Sequence, residues 1–142
     1  MRESRVSNDK IQAYLATDYC VHAGQEDLVL RIGTRCDQLS ALFQVHAVDC
    51  GAFITAFNPR GTLQSDQDNQ QAHRTLASRS ATFNLHTVEG AGRGADGEWP
   101  PEKSLFVFGL PLAQAKQLGT EFDQDAIVWV GADCVPQLVL LR

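Results

Sequence analysis

The sequence predicts an α+β fold, an antiparallel or mixed sheet with helices on one face, and three observations carry that expectation. Short apolar runs rich in β-branched and aromatic residues recur at 52–57 (AFITAF), 105–110 (LFVFGL) and 126–130 (AIVWV), the pattern of buried strands. Between them, Ala72, Leu76 and Ala77, then Leu112, Ala115, Leu118 and Phe122, fall at helical spacing. From residue 52 the order is strand, helix, strand, strand, helix, strand, with one more strand added. That order is the one of a ferredoxin-like (split β-α-β) core. An N-terminal helix and hairpin would extend or cover its sheet.

Residues 1–7 are polar, and disorder is expected there. Asn8 or Asp9 can cap a short helix in which Ile11, Tyr14 and Leu15 share a face. Strands are expected at 19–22 and 28–32, joined by the turn AGQED. Residues 37–46 read as a helix, although 43–48 (FQVHAV) also alternates like a strand. Pro59 ends the strand at 52–57 and is expected to hold Asn58 extended. Ser65 and Asp68 match the S-x-x-D form of a capping box, so a helix starts there and runs to about Ser80. A half-buried strand is expected at 83–88 and a glycine-rich loop at 89–97 (EGAGRGADG). Pro111 suits the first position of the second long helix, which frays near Gly119. The final strand, 138–141, is expected to pair with 126–130.

At 142 residues the chain has the size of one domain, taken as 1–142. A hydrophobic share of 44% and a charged share of 20% belong to an ordinary folded protein. No apolar run is long enough to span a bilayer, and no leader peptide is read at the N-terminus. The net charge is -5 and the cations are dispersed, which argues against nucleic-acid binding. Four cysteines without a C-x-x-C pair point to reduced thiols and a cytoplasmic protein, with no metal site and no cofactor. Cys20 and His22 share a strand face but need further ligands.

Four places can carry chemistry. The helix start at Ser65, with Arg60 and Arg74 nearby, can hold an anion, although a simple cap with solvated arginines is the favoured account. Asn69 falls on the inner helix face with Ala72, His73 and Leu76, where its buried amide needs partners such as Asn58. A lone helical histidine such as His73 is more often a surface residue than a base. The motif at 92–97 spells G-x-G-x-x-G, but Pro100 and Pro101 follow where a dinucleotide fold needs a helix. A flexible loop remains, with Arg93 for charge and Trp99 for stacking. Glu102 and Gln124 each precede a buried strand, and Glu102 or His73 can act as a general acid or base if desolvated.

ITAFNP (54–59), GEWPPEKS (97–104) and FDQDAIVW (122–129), with Ser65 and Asn69 at S-x-x-x-N spacing, together resemble a family of short bacterial proteins known as domain of unknown function 3293. The resemblance runs from about the first helix to the last strand, and Asn58, Pro59, Ser65, Asn69, Trp99, Glu102 and Gln124 match its pattern. It implies a soluble, stand-alone bacterial protein and brings no activity, cofactor or partner with it. Asp123 departs from the pattern, which has glycine before the glutamine.

The residues themselves favour a binding module for a small anionic ligand, held by Asn58, Arg60, Ser65, Asn69, Arg93, Trp99 and Gln124. A small enzyme using Glu102 or His73 is the first alternative. A homodimer formed through an exposed sheet edge is the second.

Overall fold

The computed structural model describes residues 4–95, 97 and 99–142. In chain order the elements are α1 (Asn8–Leu15), β1 (Asp18–Val21), β2 (Leu28–Leu30), α2 (Asp37–Val45), β3 (Gly51–Thr55), α3 (Asp66–Ala81), β4 (Thr87–Arg93), β5 (Glu102–Phe108), α4 (Leu112–Glu121), β6 (Ala126–Val130) and β7 (Pro136–Leu140). The seven strands form one antiparallel sheet in the order β2-β1-β4-β5-β3-β6-β7.

Helices cover both faces rather than one. Leu76 of α3, with Ala115 and Leu118 of α4, packs with Ala52, Ile54, Leu105 and Val107. On the opposite face, Leu39 and Phe43 of α2 pack with Phe53, Phe106, Phe108 and Val130. The reason lies in the strands. Residues 52–57 and 105–108 are apolar without alternation, so β3 and β5 send large side chains both ways and need cover on both sides. In register, Phe53 faces Phe106 while Ile54 faces Leu105.

The glycine-rich stretch is a strand through Arg93, not a loop, and the strand expected from residue 83 begins at Thr87. Glycine is what permits this pairing. A Cβ on Gly90 would lie 2.4 Å from the Cys20 carbonyl oxygen and 3.1 Å from the Phe53 ring, so β1 and Phe53 close on β4 only over a bare backbone. Asp96 of the 92–97 motif and Glu98 lie outside the described residues. So do residues 1–3 of the segment expected to be disordered. Within that segment, Val6 is buried and the Ser4 hydroxyl donates to the Arg142 carbonyl (2.6 Å).

The cap of α1 is Ser7, whose hydroxyl accepts from the Lys10 N–H, rather than Asn8 or Asp9. The segment expected at 37–46 is helical over Asp37–Val45, with His46 as its C-cap. Gly119 is a buried helical residue rather than a fraying point, because a Cβ there would meet Ile127 and Leu141 at 2.6 Å. Among the described residues no helix is long and apolar enough to cross a membrane.

Candidate functional site

Antiparallel pairing brings one rim of the sheet together. β3 ends where β5 and β6 begin, and β4 arrives there before the connection to β5. Residues far apart in sequence therefore meet at this rim. Thr55 closes β3 by donating its hydroxyl to the Lys103 carbonyl (2.6 Å) and accepting from the Phe57 N–H (3.0 Å). A 3-10 turn, Pro59–Gly61, follows.

Asn58, expected to be extended, is left-handed (φ 48, ψ 65). Asparagine is among the few residues that tolerate this region, and four hydrogen bonds to its N–H and side-chain amide hold it there. Its N–H donates to Asn69 Oδ1 (2.9 Å), and its Oδ1 accepts from the Gln64 N–H (3.1 Å) and Asn69 Nδ2 (3.0 Å). Its Nδ2 donates to Glu102 Oε2 (2.7 Å). Arg60 and Asp123 are also left-handed (φ 58 and 54), and the Arg60 N–H donates to the Asp123 carbonyl (2.8 Å). Left-handed backbone at these three residues is sustained by such a network. The turn at Asp123 thus keeps a glycine-like conformation without glycine.

Behind the rim, on the Phe53 face, lies a cavity of about 540 Å³. Its floor is Phe53, Val128 and Leu138, its roof is Ala13 and Tyr14 of α1, and Gly92 and Gly94 form a side. Its polar end is Asn58, Trp99, Glu102 and Gln124. Trp99 donates its indole N–H to Glu102 Oε2 (3.2 Å). Gln124 donates from Nε2 to the Phe57 and Phe122 carbonyls (3.1 and 3.2 Å). Burial raises the Glu102 carboxyl above the ordinary glutamate range, against the bonds from Asn58 and Trp99 that pull it down.

Of the residues singled out from sequence, the structure brings Asn58, Trp99, Glu102 and Gln124 to this cavity and leaves the others outside it. Asn69 stands behind Asn58, buried. Ser65 caps α3 by accepting from the Asp68 N–H (3.1 Å). The Arg60 guanidinium lies 3.9 Å from Asp123, Arg74 donates to Gln71 (2.9 Å), and Arg93 ends β4 opposite Asp18. His73 is buried rather than exposed, on the other face of the sheet, with Nε2 2.9 Å from Glu89 Oε1. Among the described residues no group of three His, Cys, Asp or Glu is placed to hold a metal.

Sequence reasoning missed the fastening of the roof. The buried Asp125 carboxylate accepts from Lys10 Nζ (3.2 Å), the Tyr14 hydroxyl (3.2 Å) and Arg142 Nη1 (2.7 Å). Burial works to raise this carboxyl, but Arg142 and Lys10 hold it below the ordinary range. Gly61 makes room, since a Cβ there would sit 2.8 Å from Lys10 Nζ. The one signal available was Lys10 and Tyr14 at i, i+4 on a short helix.

A family model described as protein of unknown function (DUF3293) matches residues 54–127, just over half of the chain. The match takes in Asn58, Trp99, Glu102 and Gln124 and leaves out α1. No curated protein and no solved structure matches the chain.

Proposed function

The chain belongs to the DUF3293 family, and since that description names no activity, we propose from the site itself that it is a binding module for a small, largely apolar molecule held in the cavity beneath α1. One observation carries this: a desolvated carboxylate, Glu102, stands at the polar end of a chamber of ligand size whose floor is apolar. A folded chain that buries a carboxylate without a cation beside it gives up stability, and a ligand that meets the carboxylate would return it. The anionic ligand expected from sequence finds less support, because Arg60, Arg93 and the Ser65 helix start do not line the cavity.

Glu102 as a general acid is the second reading. A carboxyl raised by burial beside an indole is better suited to proton donation than an ordinary glutamate. The order β4-β5-β3-β6, with α3 and α4 on one face, supports a ferredoxin-like centre to which β1, β2 and β7 are added. Four free cysteines support a reducing, cytoplasmic setting. The sheet edges β2 and β7 offer the surfaces a homodimer would use.

The test is thermal unfolding against a panel of small amphipathic molecules. A compound present at a hundredfold excess over its Kd stabilises the native state by about 2.7 kcal/mol. At least one such shift is expected, and it should vanish when the chamber is filled by Gly92→Leu. A panel without any shift overturns the proposal.

A further inference from the structure

The cavity's polar end is weighted toward acceptors. Every donor atom there already reaches an acceptor, and the N–H groups left over among the described residues are one on Asn58 Nδ2 and one on Lys10 Nζ. Asn58 Nδ2 and Trp99 Nε1 both donate to Glu102 Oε2, and Gln124 Nε2 donates to two backbone carbonyls. Lys10 Nζ is held by the Arg60 carbonyl (2.8 Å) and Asp125, the Tyr14 hydroxyl by Asp125, and the Tyr19 hydroxyl donates to the Tyr14 carbonyl (2.7 Å).

The acceptors are not so matched. Glu102 Oε1 and Gln124 Oε1 have no hydrogen-bond partner among the described residues, while Oε2 of the same carboxylate takes two bonds. The orientation of each amide is fixed by backbone. The Gln64 N–H requires the oxygen of Asn58 on its side, and the Phe57 and Phe122 carbonyls require the nitrogen of Gln124 on theirs. Gln124 therefore cannot turn to offer a donor, and the Asn58 nitrogen already faces Glu102 with one of its two N–H groups.

Resting on the binding-module reading, we infer that the ligand of this cavity is an organic cation or multiple N–H donor, with an amine, amidine or guanidine head at Glu102 Oε1 and an apolar body against Phe53, Val128 and Leu138. A carboxylate or phosphate head would meet the two unpartnered oxygens and would bring a second negative charge beside Glu102. An ammonium instead donates three hydrogen bonds and neutralises the buried carboxylate.

Three probes of matched shape decide the matter: 2-phenylethylamine, 2-phenylethanol and 3-phenylpropionate, titrated into the full chain by calorimetry at pH 7. The expected result is that the amine binds at least about tenfold more tightly than the alcohol, as a charge-assisted hydrogen bond warrants, with the propionate weakest. In Glu102→Gln, checked for an unchanged circular dichroism spectrum, that preference should fall below about twofold. Amine and alcohol binding equally well would overturn the cation inference and leave the binding-module reading standing, and so would a preference for the propionate. A failure of all three to bind would overturn both. The comparison on the unmodified chain decides the question even if the variant does not fold.

Discussion

Asn58 and Asn69 hold each other through a reciprocal pair of hydrogen bonds: the Asn58 N–H donates to Asn69 Oδ1 at 2.9 Å, and Asn69 Nδ2 donates back to Asn58 Oδ1 at 3.0 Å. The pair locks a left-handed residue in front of a proline and leaves one group, Asn58 Nδ2, aimed at Glu102. Asn69 therefore serves the cavity at second hand, by fixing the residue that touches it.

Removing that support leaves buried polar groups unpaired. Asn69→Ala takes the partner from the Asn58 N–H and from Gln64 Nε2, which donates to the same oxygen at 2.8 Å. The expected loss is about 2–3 kcal/mol, read as a lower urea midpoint with the slope unchanged. A loss under about 0.5 kcal/mol would show that water replaces the latch without cost.

The two glycines of β4 that face the cavity side should respond very differently to a methyl group. Gly90→Ala puts a carbon against the Cys20 carbonyl and the Phe53 ring, and is expected to destabilise by about 1–3 kcal/mol. Gly92→Ala meets nothing nearer than Thr17 Cγ2 at 3.9 Å and should be tolerated, while narrowing the chamber. Melting temperatures of the two variants check this directly, and equal effects would refute the packing account of β4.

Stability should carry two opposed pH signatures. Burial raises Glu102 above the ordinary glutamate value of about 4.3, so the native state there binds more protons than the unfolded chain. Its contribution is fully present below about pH 4.3 and is lost as pH rises through the raised value. Asp125 is depressed, so its contribution is present above about pH 3.9 and is lost as pH falls through the folded value. In urea unfolding from pH 4 to 8, Glu102→Gln should therefore gain on the unmodified protein as pH rises. A constant difference across that range would contradict the raised carboxyl.

The roof is the least firmly packed of the helices. No residue of α1 is buried, and Leu15, expected on its inner face, is 43% exposed. Polar fastening to Asp125 takes the place of an apolar face, and eight residues are too few to hold a helix alone. Amide hydrogen exchange should be fastest in α1 among the four helices, and Asp125→Asn should speed it further. Protection of α1 equal to that of α3 would contradict the fastening.

Much of this was legible beforehand, and the gaps have physical causes. β3, β5 and β6 announced themselves as apolar runs, and Ser65 announced α3 by its cap. The second helical layer was hidden, although the unalternating AFITAF already contained it, since Phe53 and Ile54 cannot be covered from one side. The strand through Gly90 was hidden because glycine reads as a breaker, whereas here the missing Cβ is what β1 requires. Asn58, Glu102 and Gln124 were each visible as polar positions beside strand ends, and Trp99 as a stacking face in the loop. Their common destination was not, because antiparallel register rather than spacing brings Asn58, Glu102 and Gln124 to one rim. Asp125 gave almost no sign, since its partners lie at the two ends of the chain.

Backbone amide shifts under titration with 2-phenylethylamine test the central claim most directly. The account predicts perturbations confined to the chamber, at Asn58, Trp99, Glu102, Gln124 and the facing turn of α1. Shifts centred instead on Arg60, Ser65 and the first turn of α3, with the chamber silent, would contradict it.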